Sequence, residues 1–386
     1  MVLASKNIMR GIRFAILIFC LVSHELLLAV GPSHPWSAVH ANQWYSKQPW
    51  LVGSNFIPST AINQLEMWQS DTFDVPTIDR ELGWAEGLGM NTMRVFLHNL
   101  LWQEDSQGFL NRMEQFLTVA DRHHIRATFV LLDSVWDPYP KAGKQRAPRP
   151  HVHNSGWVQA PGAVILKDPS HWDTTVKPYV LGVMTHFRND KRIVMWDLMN
   201  EPDNDNPPYK GQELGNKADA ALKLLKEEWV WARSTRPSQP LTSGVWQGDW
   251  SNDSTLSETA RFQLQNSDVI TFHSYEPPEK MKARIASLKR FGRPIICTEY
   301  MARPLGSTFM AILPLLKAEH VGAYNWGFVN GKSQTIYPWD SWEKSYTAEP
   351  EVWFHDIFRA DGTPYDPLEV VLIKELTNPN TATDQH

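Results

Sequence analysis

Two glutamates sit at the carboxyl ends of strand-like runs that are far apart in the chain. Glu201, in Asn200-Glu201-Pro202, follows the apolar stretch Ile193 to Met199, and Glu299, in Cys297-Thr298-Glu299-Tyr300, follows Pro294-Ile295-Ile296. Cleaving a glycosidic bond takes one carboxylic acid to protonate the departing oxygen and one carboxylate to meet the developing oxocarbenium centre. Either glutamate alone could be an ordinary exposed carboxylate. Two at matching positions on one barrel face point to paired acid chemistry.

Other residues fit around this pair. Arg94 stands in the middle of the apolar run Asn91 to Leu97, and a buried cation demands a carboxylate partner. Glu299 is the first candidate and Asp197 the alternative; pairing with Glu299 would lower its pKa and keep it ionised, as a nucleophile requires. Asn200, beside Glu201, can donate and accept hydrogen bonds. His273 and Tyr275 are two apart and therefore share a strand face. Tyr275 is placed to bond the nucleophile and His273 to tune the acid, or both simply pack in the core. Trp326, in Tyr324-Asn325-Trp326-Gly327, floors a sugar subsite or caps the core.

These side chains need a scaffold that delivers strand ends to one face. From Trp50 onward, short apolar strands alternate with helical periods, the pattern of βα units around a parallel sheet. The expected strands are 50–56, 91–97, 126–133, 193–200, 240–245, 268–275, 294–299 and 322–328. The expected helices are 78–88, 110–124, 171–187, 217–234, 257–265, 279–290, 308–320 and 351–358. Eight such units close into a single (β/α)8 TIM barrel with its active site at the strands' carboxyl ends. Two extended loops on that face, 134–168 and 330–350, are the expected cleft walls. The first carries Trp136, Tyr139, Trp157 and the cations Lys141, Lys144, Arg146 and Arg149; the second carries Tyr337, Trp339, Asp340 and Trp342. The cations hint at an acidic or decorated sugar, although charged loops are usually just solvated.

Composition sets bounds. The chain has 386 residues and a net charge of -5, with a pI near 6.3, so it offers no basic field for nucleic acid. Eighteen tryptophans suit both sugar stacking and core filling. Residues 1–41 read as a signal peptide or uncleaved membrane anchor: Lys6, Arg10 and Arg13 precede the apolar run Phe14 to Val22, and cleavage is expected after Gly31 or Ala41. Residues 42–386 form the catalytic domain, secreted or periplasmic, expected to be a monomer with a carbohydrate substrate and no cofactor. Without the leader only Cys297 remains, embedded in an apolar strand as a small buried residue.

Taken together, Asn200-Glu201-Pro202, His273-Ser274-Tyr275, Thr298-Glu299, Trp326 and Arg94 resemble the signature of the cellulase-type family 5 glycoside hydrolases of clan A, over about Trp50 to Phe358. The resemblance implies a (β/α)8 barrel and hydrolysis with retention through a covalent glycosyl-enzyme. It makes Glu201 the acid/base and Glu299 the nucleophile. Asn200 would contact the sugar 2-hydroxyl, Arg94 and Tyr275 would hold the nucleophile, and Trp326 would platform the reacting sugar. Many members carry a histidine at the end of strand three, where this chain reads Leu131-Leu132-Asp133-Ser134-Val135-Trp136. Asp133, Trp136 or His98 is expected to take over its contact with the sugar, which marks a divergent subgroup.

Two other classes compete. His151-Val152-His153 could begin a metal site, but a metal-dependent barrel needs further ligands at other strand ends. A carbohydrate-binding barrel without turnover would not need both glutamates and Arg94.

Overall fold

The computed structural model describes residues 34–378; the expected leader falls mainly on residues 1–33, outside the described residues. Every expected strand forms. They are β1 Val52–Asn55, β2 Thr92–Phe96, β3 Arg126–Asp133, β4 Ile193–Asn200, β5 Leu241–Thr242, β6 Ile270–His273, β7 Ile295–Tyr300 and β8 Gly322–Asn325. All pairings are parallel, in the order β5-β4-β3-β2-β1-β8-β7-β6. Parallel strands are covered on both faces, which is why strands such as Ile193–Asn200 read as largely apolar runs instead of alternating ones.

The two ends of the sheet meet to complete the (β/α)8 barrel. Val245 bridges Phe272, with Val245 N donating to Thr271 O at 3.1 Å and His273 N to Val245 O at 2.9 Å. β5 is shorter than expected, and past it the chain runs close to β6 at Gly244, where an added Cβ would lie 3.2 Å from Thr271 Oγ1. Asp268 ties the same seam, accepting from Leu241 N at 2.8 Å and from both terminal nitrogens of Arg233 at 2.7 Å.

The helices follow the expected periods, and Lys217–Ser234 matches to the residue. The helix expected from residue 110 begins earlier, as Asn99–Arg122 with a break at Asp105. The helix expected at 351–358 does not form. Arg303 instead holds the segment in an irregular path by donating to the carbonyls of Trp353, His355 and Asp356, and Phe358 bridges Val329 and Pro364. The last described helix is instead Pro367–Thr377, capped by Asp366 through a 2.8 Å bond from Leu368 N. Ala41, one expected cleavage point, is buried within the helix Ala38–Tyr45. Among the described residues, no helix is long and apolar enough to cross a membrane.

Candidate active site

Arg94 organises the floor of the site. It lies on β2 with no exposed surface, in the interior, where an unpaired guanidinium would cost several kcal/mol. Its Nη1 donates to Glu299 Oε1 at 2.8 Å and to Asn55 Oδ1 at 2.9 Å. Its Nη2 donates to Asp197 Oδ2 and Asn200 Oδ1, both at 2.8 Å, and its Nε reaches Asp197 at 3.1 Å. The two expected partners are therefore both real, and the planar fork reaches three strands besides its own.

Glu201 and Glu299 face each other above this floor. A carboxylate oxygen of each and a ring nitrogen of His273 all lie within 4.8 Å of one another. His273 Nδ1 shares a 2.7 Å hydrogen bond with Glu201 Oε1, and Nε2 lies 3.6 Å from Glu299 Oε1. Tyr275 donates its hydroxyl to Glu299 Oε2 at 2.7 Å. Asn204 donates to Glu201 Oε2 at 2.6 Å. Glu201 itself holds a left-handed backbone conformation, φ 41°, of the kind that surrounding structure must enforce at a working residue.

The electrostatics separate the two acids. Burial pushes the Glu201 carboxyl up to about 7, with Asn204 opposing and Asp203 adding to the rise. Burial also raises Glu299, against the pull of Arg94 and the Tyr275 hydroxyl. The net lowering expected from Arg94 does not occur, because burial outweighs a charge that is shared with Asp197. Glu299 still has the guanidinium in direct contact, which favours its charged form. Burial lowers His273 to about 4, leaving a neutral imidazole between the acids near neutral pH.

Above the carboxylates opens a cavity of about 620 Å³ lined by Asp133, Trp136, Asn200, Tyr275 and Trp326 among others. Trp326 stands edge-on to Phe96 and Trp157, with ring centres 5.8 Å away in both cases. Trp136 stacks on Trp342 at 5.7 Å, which brings the two long loops together as one wall. Asp133 ends β3 at the cavity; it accepts from Trp157 Nε1 at 2.8 Å and Asn200 Nδ2 at 3.0 Å, and burial pushes it up to about 7.

Not every named residue reaches the cavity. His98 is fully buried and does not line the cavity. One ring nitrogen caps the helix at Leu100 N and the other bonds Gln159 O, so none is left for a sugar. Arg94 and His273 lie under the carboxylates and touch the cavity only through them. The loop cations Lys141, Lys144, Arg146 and Arg149 are absent from the lining as well. Arg146 pairs with Asp137 at 3.4 Å, and Arg149 stacks over Trp342.

Asn55, Asn154, Asn204 and Trp246 belong to the site but carry no motif of their own. Only Asn204, three residues after Glu201, had a usable signal in its spacing.

Glu201, His273 and Glu299 are also the described group whose donor atoms lie close enough for a metal. The donor set suits one poorly, since His273 is engaged by Glu201 and a guanidinium already sits on Glu299. At the suggested pair, His151 Nδ1 is hydrogen-bonded to the Tyr337 hydroxyl and His153 Nδ1 to the Tyr337 carbonyl.

Comparisons with known proteins agree with this geometry. The fold is similar to an endo-β-1,4-mannanase from Thermotoga petrophila, with TM-score 0.55, 15% identity and coverage of 89% of this chain and 79% of that one. It is also similar to a GH5_18 protein from Streptomyces cattleya in complex with GlcNAc, with TM-score 0.54, 11% identity and coverage of 87% and 81%. An exo-β-1,4-mannosidase from Opitutaceae bacterium strain TAV5 matches with TM-score 0.54, 16% identity and coverage of 86% and 60%. No curated protein sequence matches. The family described as Cellulase (glycosyl hydrolase family 5) matches residues 85–345, a span that holds both glutamates, Arg94 and every named site residue except Asn55. The chain belongs to glycosyl hydrolase family 5 and is a glycoside hydrolase.

Proposed function

We propose that this hydrolase cleaves a β-linked oligosaccharide or polysaccharide with retention of anomeric configuration, through a covalent glycosyl-enzyme. The observation that carries the reading is the spacing: oxygens of Glu201 and Glu299 approach within 4.8 Å. Retaining enzymes hold their carboxyl groups about 5 to 5.5 Å apart, whereas inverting enzymes need about 6.5 to 9.5 Å to admit a water.

In the first step Glu299 attacks the anomeric carbon while protonated Glu201 gives its proton to the departing oxygen. In the second, Glu201 as carboxylate takes a proton from water, which attacks the same carbon and frees Glu299. Arg94 and the Tyr275 hydroxyl keep Glu299 oriented and ionised. Neutral His273 holds Glu201 without fixing its proton. Asn200 and Asp133, bonded to each other, face the sugar hydroxyls, and Trp326 platforms the ring. Asp205, Asp340 and Glu343 also line the cavity while the loop cations do not, which favours an uncharged sugar over an acidic one. A binding barrel without turnover has no use for an acid raised to about 7 beside an ion-paired carboxylate. Export by an amino-terminal leader is part of this proposal and rests on the Lys6 to Val30 pattern alone.

The test is Glu299→Ala assayed on an activated aryl β-glycoside. Turnover should fall by several orders of magnitude, and azide should restore part of it as the inverted glycosyl azide. Full activity in the variant would remove Glu299 from the mechanism.

A further inference from the structure

The place of each carboxylate around the barrel sets the direction of the sugar chain. In the strand order, β8 lies diametrically opposite β4. Glu201 follows β4, so the leaving group departs on that side, past Asn204 and Trp246. The C4 side of the reacting ring is its far end from the anomeric carbon, so a ring lying over Trp326 turns that end toward the wall built by the loops after β3 and β8.

That far end is closed. The loops after β3 and β8 are knitted together behind Trp326: Asn154 N donates to Ser333 O at 2.9 Å, His153 N to Ser341 Oγ at 3.0 Å, and Trp342 Nε1 to His153 O at 2.8 Å. Behind Trp326 and Trp157 lies a small cavity of about 20 Å³. A single water needs roughly 10 to 15 Å³ by this measure, so the space holds a water and no second sugar.

Asn154 stands at this boundary and lines the large cavity as well as the small one. It is 1% exposed, and neither its Oδ1 nor its Nδ2 has a hydrogen-bond partner. A buried amide left unmet is costly, and the backbone here is left-handed, φ 46°, a conformation that asparagine tolerates.

Resting on the proposed hydrolase reading, we propose that the glycone side of the site ends after one sugar, that Asn154 binds a hydroxyl on the C4 side of that terminal unit, and that the enzyme therefore acts from the non-reducing end. A chain continuing beyond that ring would have to displace Trp157 or part the two loops.

The experiment uses the full chain on β-linked oligosaccharides labelled at the reducing end, with products sized at early times. Stepwise loss of one unit, the label always on the shortened chain, supports the proposal, as does loss of cleavage when a 4,6-acetal blocks the non-reducing terminus. Early products of several sizes, or a rapid viscosity drop on polymer, would overturn it. Failure to hydrolyse any β-glycoside, aryl glycosides included, would instead overturn the underlying hydrolase reading. Asn154 is tested with 3-, 4- and 6-deoxy aryl glycosides. One of these should lose 10- to 100-fold in kcat/KM with the native enzyme and lose little further in Asn154→Ala. Equal deoxy penalties in native enzyme and variant would mean that the amide serves only an internal water, and would remove Asn154 from the proposal.

Discussion

Arg94 and Glu299 meet at 2.8 Å in the barrel interior, and the same guanidinium holds Asp197 at 2.8 Å on its other edge. One cation is thus shared between two buried carboxylates. It also fixes Glu299 where a reacting carbon must arrive.

Arg94→Lys is the first prediction. Lysine keeps the charge but cannot bridge Glu299, Asp197, Asn55 and Asn200 at once. We expect kcat to fall about 100-fold. The acid limb of the pH profile should move upward, because Glu299 loses the contact that opposes its rise. An unchanged acid limb in stopped assays across pH would show that Arg94 is scaffold only.

The alkaline side of the profile belongs to Glu201. It acts as an acid only while protonated, and burial carries its pKa up to about 7. kcat/KM should therefore fall as pH rises through about 7. In Glu201→Gln, a substrate with a good leaving group needs no proton, so that limb should vanish for the glycosylation step. Persistence of the limb in that variant would assign it to another group.

Asn204 shifts the same limb in a defined direction. Its amide donates to Glu201 Oε2 at 2.6 Å and opposes the rise caused by burial. Removing it in Asn204→Ala should stabilise the protonated acid and move the alkaline limb to higher pH, by up to about one unit for a bond worth about 1.4 kcal/mol. A shift to lower pH would contradict the assigned hydrogen bond.

Glu228 bears on stability. It is fully buried on the helix Lys217–Ser234, and neither carboxylate oxygen has a hydrogen-bond partner. Burial holds its pKa well above the usual carboxylate value, with nearby Asp197 adding to the rise. The folded state therefore binds more protons than the unfolded one above the ordinary range near 4.5. Stability is fully present below that pH and falls as pH rises from it toward the folded value. Glu228→Gln should flatten that decline, and at pH 7 it should be at least as stable as the native chain, by about 1 kcal/mol or more. Thermal melts of the two proteins between pH 5 and 8 provide the measurement, and parallel melting curves would sink the assignment.

Much of the architecture was legible because its determinants are local. A parallel strand buried on both faces must be a short apolar run, and a helix covering it must show the 3.6-residue period, so Ile193–Asn200 and Lys217–Ser234 could be placed from composition and spacing. The paired glutamates followed from the same logic, since strand ends share one barrel face. The 351–358 segment failed for the opposite reason: its helical pattern is local, but Arg303, about fifty residues earlier, takes its carbonyls. His98 failed similarly, because only the folded chain brings Gln159 to its ring.

The residues themselves determined a family 5 hydrolase barrel and which acids, arginine and aromatics gather at its mouth. Only the tertiary structure decided that Arg94 serves two carboxylates, that burial raises both acids, and that the loops after β3 and β8 lock together at Asn154 and Ser333. Charge sharing, desolvation and loop contact are sums over groups distant in the chain, and no window of sequence contains them.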